Sequence, residues 1–335
     1  MDKQDCVLVV CPAWVGDLVM AQSLFRVLKE RAANTSIDTI APPWTAPLLA
    51  RMPEVRDTFV LPIGHGTFGL STRWRMGQVL RKRHYQQAIV LPRSFKAALV
   101  PYFARATRRT GYLGELRWGL LNDTRAVSAK RTVDRFVALG LEPNETPPSP
   151  LPLPRLAEDK DNLAVVLAKL GMEHPTGPVL ALCPGAEYGP AKRWPTAYFA
   201  EVASQAIAHN WQVWLFGSAR DTTTTAEIQQ HLRGAAIDLA GRTTLPDVVD
   251  LLALATAVVS NDSGLMHIAA ALNRPLIALF GSSDPTNTPP LSPQANILRL
   301  SLPCSPCMQR TCPENHLACL QQLTPDQVLA RLPLE

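Results

Sequence analysis

The sequence predicts an α/β protein with two Rossmann-like, doubly wound domains that face a cleft. Three observations support this prediction. The length of 335 residues corresponds to about two domains of roughly 150 residues each. Apolar β-rich runs alternate with helical stretches in both halves of the chain, and a proline-rich segment separates the halves. With 47% hydrophobic and 18% charged residues, the chain can form two packed cores, which excludes global disorder.

The first half, residues 1–150, is predicted to alternate strands with helices. Its β-rich runs are expected to form strands at Cys6–Pro12, Ser36–Ala41, Thr58–Pro62 and Gln87–Pro92. The stretches between and after them are expected to form helices at Asp17–Arg31, Ser71–Arg83 and Ser94–Arg105. Near-continuous apolar strands such as VLVV are typical of parallel sheets covered on both faces.

The second half, residues 151–323, repeats this alternation. The predicted strands are Val179–Cys183, Gln212–Phe216, Ala257–Ser260 and Leu276–Phe280. The predicted helices lie near Pro195–His209, Thr222–Arg233, Leu245–Ala253 and Gly264–Leu272. A terminal helix is expected within residues 324–335, because Thr324 is a good N-cap, Pro325 suits the first helical position and Gln327 completes a capping box.

The segment that joins the halves is rich in proline. Six prolines lie within the twelve residues 143–154. Proline excludes a regular helix and favours an extended, semi-rigid connector. We therefore interpret the segment 143–155 as an interdomain linker.

The net charge of +5 conceals an asymmetry between the halves. Residues 1–150 contain 21 Lys and Arg against 12 Asp and Glu, whereas the remainder contains 12 against 16. This difference indicates that the first half faces a polyanion. Aromatic residues make up only 6% of the chain, which argues against the stacking surfaces of single-stranded nucleic-acid binders. The arginine-rich stretches 73–83 and 105–135 therefore favour phosphorylated lipid or anionic headgroups over nucleic acid.

The sequence features that bear on localisation favour the cytoplasm. No apolar run reaches the roughly 18 residues that a membrane-spanning helix needs. Acidic residues flank the apolar run near the N-terminus, where a signal peptide would have a basic start. Seven cysteines, an odd number, fit a reducing compartment better than a disulfide framework.

Ligands of doubly wound domains bind outside the carboxyl ends of the strands, so the turns after the strands are the candidate sites. Asp17 opens the helix that follows the first strand. The helix dipole favours a carboxylate at this position, so stabilisation of the helix is one interpretation. A general base aimed into the cleft is the other.

The loop after the strand Val179–Cys183 carries a pattern typical of a phosphate site. It contains Gly185 and Gly189, followed by the adjacent cations Lys192 and Arg193. Backbone N–H groups of such a loop and a lysine ammonium converge on phosphate or pyrophosphate. A solvated loop with incidental charges is the alternative.

A third candidate follows the strand that ends at Ser260. Asn261, Asp262 and Ser263 are all strong helix caps, although one helix needs only one cap. Gly264 allows a ligand to approach the first N–H groups closely. This redundancy favours a diphosphate site. His267 lies on the same helical face as Gly264, although a lone histidine in a helix is more often structural.

Two glycine-containing turns give weaker signals. Gly217 and Ser218 lead to Asp221, which could hold a ribose or the edge of a base. GHGTFG at 64–69 matches the dinucleotide pattern in letters, but it follows a later strand, and the acidic residue expected about 20 residues further on is missing. A dinucleotide site at this loop is therefore not predicted.

The C-terminal cysteines form the pattern C-x2-C-x4-C-x6-C. The residues are Cys304, Cys307, Cys312 and Cys319. Their spacing is not that of a common zinc module. A structural metal is the less favoured interpretation, and no catalytic metal is expected.

Taken together, these motifs resemble the ADP-heptose:lipopolysaccharide heptosyltransferases. The resemblance covers most of the chain up to about residue 300, through PAWVGDLVMAQSL, LARMPEV, LPIGHG, VLPRSFKAALVP, RTGYLGELRWGLLND, CPGAEYGPAKRWP, LFGSARD and NDSGLMHIAAALNRP. It implies an inverting glycosyltransferase of GT-B architecture. The second domain would bind ADP-heptose, and the first would bind the lipid acceptor.

The resemblance also implies roles for individual residues. Asp17 matches the general base of the family, and Lys192 matches its donor-phosphate lysine. The diphosphate-binding helix start matches Asp262, Ser263, Gly264, Leu265 and His267. Glu187 and Tyr188 stand where related enzymes touch the donor. No cofactor is expected, because the metal-binding D-x-D pattern occurs only at Asp159-Lys160-Asp161, beside the linker.

The implied acceptor is phosphorylated heptosyl-Kdo-lipid A. The GHG loop and the EYGPAKRWP run favour the branch of the family that adds heptose to the first heptose of the inner core. Such an enzyme would contact the cytoplasmic face of the inner membrane and no nucleic acid. A family member with another acceptor, a nucleotide-sugar epimerase and a non-enzymatic two-lobed binding module are the alternatives.

Overall fold

The structure, a computed structural model, describes residues 6–64, 66–127 and 129–334. The chain divides into two units, Met1–Arg155 and Leu156–Glu335. Each unit contains a six-stranded parallel sheet with helices between the strands. The predicted pair of Rossmann-like α/β domains is thereby confirmed.

The first unit follows the Rossmann strand order. Its strands are β1 (Cys6–Val10), β2 (Ser36–Ala41), β3 (Val55–Val60), β4 (Gln87–Val90), β5 (Arg108–Tyr112) and β6 (Asp123–Arg125). Its helices are α1 (Val15–Arg31), α2 (Ala46–Leu49), α3 (Leu70–Arg81), α4 (Leu99–Phe103) and α5 (Thr132–Gly140). The strand order β3-β2-β1-β4-β5-β6 places the point where the order reverses between β1 and β4.

The second unit repeats this topology. Its strands are β7 (Val179–Cys183), β8 (Gln212–Leu215), β9 (Ile237–Asp238), β10 (Ala257–Asn261), β11 (Leu276–Phe280) and β12 (Ala295–Arg299). Its helices are α6 (Lys160–Leu170), α7 (Thr196–Ala208), α8 (Thr222–His231), α9 (Leu245–Ala253), α10 (Gly264–Ala271), α11 (Ala318–Gln321) and α12 (Pro325–Leu329). The strand order β12-β11-β10-β7-β8-β9 reverses between β7 and β10.

Both cores are formed by the apolar faces that the sequence pattern indicates. In the first unit, Leu8 and Val10 of β1 pack in one cluster with Leu80 of α3 and Val100 of α4. A tight contact joins α1 to α5, because a Cβ atom at Gly140 would lie 2.3 Å from Leu24 Cδ1. These contacts fix α1, and with it the first turn that carries Asp17.

The C-terminal helix α12 is capped as the sequence predicts. The backbone N–H of Thr324 donates to Gln327 Oε1 at 2.9 Å, which completes a capping box. Val328 is fully buried in the core of the second unit, in one cluster with Phe199 of α7. The helix therefore belongs to the packing of the second unit.

One predicted helix, Ser94–Arg105, is wrong in extent. The chain forms a 3₁₀ turn at Phe95–Ala98 and a separate short helix, α4, while Arg105 adopts a left-handed backbone with φ of 55°. Because α4 begins at Leu99, Pro101 lies in its first turn, where a missing N–H costs no hydrogen bond. A continuous helix from Ser94 would place Pro101 in its interior.

Within the described residues, no helix has both the length and the apolar character needed to cross a bilayer.

Candidate active site

The candidate site of the second unit lies at the carboxyl ends of β7 and β10. These strands are hydrogen-bonded neighbours on either side of the reversal point, where open α/β sheets bind their ligands. The loop after β7 and the turn after β10 lead to Lys192 and Asp262, respectively. The sequence separates these residues widely, and the sheet brings them together.

Asn261 holds both ends of the loop after β7. Its side-chain Nδ2 donates to the carbonyl oxygen of Pro184 at 2.7 Å, and its Oδ1 accepts from the backbone N–H of Trp194 at 3.1 Å. Asn261 is fully buried, so these two bonds satisfy polar groups that water cannot reach. The residue therefore acts as a clamp on the loop and not as a helix cap.

Lys192 and Asp262 form a largely buried ion pair. Lys192 Nζ lies 2.5 Å from Asp262 Oδ2, and the Ser283 hydroxyl donates to the same carboxylate oxygen. The two charged side chains are only 15% and 5% exposed. The carboxylate thus holds the ammonium in a fixed position, which a flexible surface lysine would not have.

Tyr188 adds an aromatic face to this cation. Lys192 Nζ lies 4.9 Å from the ring centroid, and the Arg310 guanidinium lies 5.2 Å from it. The tyrosine hydroxyl donates to the carbonyl of Met308 at 2.9 Å. A Cβ atom at Gly189 would lie 2.4 Å from the carbonyl oxygen of Arg310, so this close approach requires glycine. The loop and the segment 308–310 together place two cations around one ring.

The first turn of α10 presents backbone N–H groups beside this pair. Ser263 is the N-cap residue, and within the described part of the chain its side chain makes no capping hydrogen bond. Gly264 and Leu265 follow as the first helical residues. The amino end of a helix with open N–H groups attracts anions through those donors and through the helix dipole.

His267 lies in the same turn and is 5% exposed. Burial lowers the pKa of His267 from 6.5 to about 4; the attraction of Asp262 opposes this shift, and the repulsion from Lys192 adds to it. The imidazole is therefore neutral at neutral pH and adds no charge to the site.

This protonation behaviour predicts an acid-sensitive stability. The unfolded chain binds a proton at His267 near pH 6.5, whereas the native chain binds one only near pH 4. The free energy of unfolding should therefore fall as the pH drops through this interval, by about 1.4 kcal/mol per unit from this residue. Urea unfolding of the wild type and of His267→Gln across the same interval measures this difference. Identical pH slopes for the two proteins would contradict it.

The turn after β8 is locked by Asp221. Its Oδ2 accepts from the backbone N–H of Ser218 at 2.9 Å and from the Ser218 hydroxyl at 2.7 Å. A Cβ atom at Gly185 would lie 2.6 Å from the carboxyl carbon, and one at Gly217 would lie 2.8 Å from Asp221 Cβ. Asp221 therefore joins the turns after β7 and β8, and its contact with a ribose or a base stays a prediction.

Glu187 also spans these two turns. Its carboxylate forms an ion pair with Arg220. Both side chains are more than half exposed, so the pair contributes little to stability. An exposed pair of this kind can open to engage a ligand at small cost.

Asp17 lies in the first unit. It is the third residue of α1, directly after the carboxyl end of β1, and it is half-buried. The indole N–H of Trp44 donates to the carbonyl of Ala13 at 2.9 Å, which ties the turn before α1 to the turn after β2. The carboxylate thus sits at the reversal point of the first sheet, held by a braced turn.

Four of the cysteines lie close together in the second unit. All seven cysteines are unpaired thiols. Cys304, Cys307, Cys312 and Cys319 line one small cavity. Within residues 6–64, 66–127 and 129–334, no three or more His, Cys, Asp or Glu side chains are placed to hold a metal ion.

Sequence reasoning missed three residues of the second unit. Ser283 contacts Asp262, Arg310 contacts Tyr188 and Arg220 contacts Glu187. Ser283 could have been found, because GSSD follows the apolar strand LIALF at its carboxyl end. Arg310 lies in the cysteine-rich tail, where no strand pattern points to it. His65 of the GHG loop lies outside the described residues.

Comparison with known proteins shows the family of this chain. Residues 73–318 match the sequence profile of glycosyltransferase family 9 (heptosyltransferase). The chain is 48% identical over 308 residues to lipooligosaccharide heptosyltransferase 2 of Haemophilus influenzae, covering 88% of each chain. It is 43% identical over 338 residues to lipopolysaccharide heptosyltransferase 2 of Escherichia coli K12, covering 97% of each.

A solved structure gives the same result. The structure of E. coli ADP-heptose LPS heptosyltransferase II superposes with a TM-score of 0.86 at 42% identity, covering 97% of this chain and 96% of that one. The chain belongs to glycosyltransferase family 9, the heptosyltransferases. It is therefore an enzyme that transfers a sugar, which decides against the epimerase and the non-enzymatic binding module.

Proposed function

We propose that this enzyme transfers L-glycero-D-manno-heptose from ADP-heptose to the first heptose of heptosyl-Kdo-lipid A, with inversion at the anomeric carbon. The observation that carries the proposal is the fixed Lys192–Asp262 pair beside the open first turn of α10. This arrangement suits a sugar diphosphate that leaves as a nucleotide. The similarity to heptosyltransferase 2 proteins over nearly the whole chain supports the choice of donor and acceptor.

The donor diphosphate binds at α10. The Lys192 ammonium and the N–H groups of Ser263, Gly264 and Leu265 surround its oxygens. Negative charge grows on the diphosphate as the sugar–oxygen bond breaks, so donors already in place lower the barrier. Asp262 is itself an anion and acts through Lys192, which it positions. His267, neutral at neutral pH, adds no unfavourable charge beneath the helix.

The remainder of the donor extends over the turns after β7 and β8. Tyr188 and Glu187 come from the first of these turns, and Gly217, Ser218 and Asp221 come from the second. Gly217 allows a nucleoside to approach the backbone closely. Glu187 can exchange Arg220 for a sugar hydroxyl, because the ion pair between them is exposed.

Asp17 acts as the general base. Its carboxylate takes the proton of the acceptor hydroxyl while the hydroxyl oxygen forms a bond to the anomeric carbon. The bond from that carbon to the diphosphate oxygen breaks, and its electron pair leaves with ADP. One carboxylate suffices, because direct displacement needs no glycosyl-enzyme intermediate.

Acceptor binding and membrane contact are functions of the first unit. All four exposed tryptophans, Trp14, Trp44, Trp74 and Trp118, lie there, whereas the other three are buried in the second unit. Exposed tryptophans beside cations are typical of surfaces that touch a membrane interface. The enzyme thus works at the cytoplasmic face of the inner membrane, on a lipid-linked acceptor.

ADP release tests the proposal. Purified enzyme should release ADP from ADP-heptose only when the heptosyl acceptor is present, because transfer needs both substrates. A coupled assay for ADP, with and without heptosyl-Kdo-lipid A, measures this dependence. Equal release without the acceptor would indicate hydrolysis of the donor and would contradict the proposal.

Transfer should also be independent of metal ions. Lys192 and the α10 N–H groups stabilise the leaving diphosphate in place of a cation. Initial rates should be unchanged when EDTA is added and unchanged when Mg²⁺ is added back. A rate that collapses in EDTA and returns with Mg²⁺ would contradict this assignment.

A further inference from the structure

Most arginines of the basic first unit are already engaged within it. Among the described residues, six of them pair with carboxylates: Arg31 with Glu145, Arg56 with Asp38, Arg83 with Asp57, Arg108 with Asp123 and Glu142, Arg125 with Asp123, and Arg131 with Asp134. Arg73 and Arg117 are buried and donate to backbone carbonyls. The arginine-rich stretches therefore do not form one uniform basic surface.

Three further arginines, Arg81, Arg105 and Arg109, line a pocket of about 460 Å³. We call it the arginine pocket and define it by Gln78, Arg81, Tyr102, Arg105 and Arg109. It lies where α3 and α4 end and β5 begins, at the amino-terminal edge of the sheet. Asp17 follows the carboxyl end of β1, at the opposite edge. The arginine pocket is therefore separate from Asp17.

Close packing of α3 on α4 shapes the arginine pocket. A Cβ atom at Gly77 would lie 2.3 Å from Phe103 Cβ, so the two helices approach more closely than any other residue would allow. Arg109 is held by donation to the carbonyls of Leu120 at 2.7 Å and Ala106 at 2.8 Å. Its guanidinium lies 5.7 Å from the Tyr102 ring centroid. One wall of the arginine pocket is thus built from fixed groups.

The arginine pocket lacks a counter-charge. Its lining contains neither Asp nor Glu. Arg81 and Arg105 are exposed, and no carboxylate of the described residues forms a salt bridge with either. Three guanidinium groups around one cavity create a positive potential that an anion relieves. Guanidinium groups match the oxygens of a phosphoryl group with paired hydrogen bonds.

The surroundings of the arginine pocket favour a lipid as the source of this phosphoryl group. Trp74 precedes Gln78 by one helical turn on α3 and is 51% exposed. Tyr102 is 45% exposed at the rim. Exposed Trp and Tyr with adjacent cations are typical of protein surfaces at a lipid headgroup layer. A volume of this size lies within the range of small-molecule sites.

We propose that the arginine pocket binds the phosphoryl group of an anionic phospholipid headgroup. The proposal rests on the membrane contact proposed above and does not depend on heptose transfer. It assigns that contact to one site, which would hold the enzyme at the bilayer through a headgroup separate from the acceptor.

Vesicle flotation tests this proposal. Wild type should bind vesicles of phosphatidylcholine with phosphatidylglycerol and should not bind vesicles of phosphatidylcholine alone. Arg81→Gln/Arg105→Gln should weaken binding about thirtyfold, on the scale of two cations near a charged surface. The matched control Arg75→Gln/Lys82→Gln removes the same charge from exposed positions on or beside α3 outside the arginine pocket and should lose clearly less. If the two double variants lost vesicle binding equally, the attraction would be diffuse and electrostatic, and the proposal would be overturned.

Two further arms identify the ligand and separate this proposal from the catalytic one. Inorganic phosphate should displace the enzyme from vesicles better than chloride at equal ionic strength, because it competes for the arginine pocket. Phosphate binding without any preference for phosphatidylglycerol vesicles would overturn the headgroup assignment.

Both double variants should keep the melting temperature of the wild type and its rate of transfer to a deacylated, water-soluble acceptor. Loss of vesicle binding with transfer intact thus supports the arginine pocket, and absence of transfer in the wild type leaves this result unaffected.

Discussion

Replacing Asp17 by asparagine should lower turnover on the order of 10²-fold or more, the scale of general-base catalysis. Asparagine keeps the size of the side chain but cannot take a proton from the acceptor hydroxyl. Binding of ADP-heptose should stay close to that of the wild type, because the proposed donor site lies in the second unit. Steady-state rates with both substrates, together with calorimetric titration of the donor, measure these two effects separately.

Asp134 provides a matched control. It is the third residue of α5, as Asp17 is the third residue of α1, and it also places a carboxylate in the first turn of a helix. Asp134→Asn removes the same interaction with a helix dipole, which is worth about 0.3–1 kcal/mol. It should leave turnover unchanged. If Asp17→Asn were as active as Asp134→Asn, the role of Asp17 would be that of a helix-stabilising carboxylate.

Replacing Lys192 by alanine should lower kcat/KM for ADP-heptose on the order of 10²-fold or more, as loss of a preorganised donor to a developing anion does. The KM for the acceptor should change little. Lys169, an exposed lysine near the end of α6, provides the control, and Lys169→Ala should behave as the wild type. A change confined to the acceptor KM would show that Lys192 does not bind the diphosphate.

The Lys192 variant also leaves the buried Asp262 carboxylate without its partner. An unpaired buried charge destabilises a protein strongly, so a lower melting temperature could account for some loss of activity. The double variant Lys192→Ala/Asp262→Asn removes this charge. Its donor kcat/KM should stay low although its stability recovers. Recovery of activity with stability would mean that Lys192 only neutralises Asp262.

The architecture could be predicted because both sheets are parallel and covered on both faces. Strands such as Val179–Cys183 and Leu276–Phe280 are apolar throughout, and the structure has them with the predicted bounds. Three strands at sheet edges, β6, β9 and β12, escaped prediction because they are short or little buried. β9 has two residues, and only one of the five residues of β12 is buried. Such segments bury too little apolar surface to leave a pattern.

The closeness of Lys192 to Asp262 could also be predicted, because the carboxyl ends of parallel strands meet at one edge of the sheet. The ion pair between them could not, since it depends on how the loop after β7 folds back under the clamp of Asn261. The contacts of Ser283 and Arg310 depend on tertiary packing in the same way. Arginine content likewise predicts a basic surface, but it does not show which guanidinium groups are paired with carboxylates. The guanidinium of Arg108, for example, pairs with Asp123.

Mass analysis of the product tests the central claim most directly. The enzyme is incubated with ADP-heptose and heptosyl-Kdo-lipid A, and the lipid fraction is analysed by mass spectrometry. The account predicts that the acceptor gains the mass of one heptosyl residue. An unchanged acceptor beside free heptose or isomerised donor would contradict it.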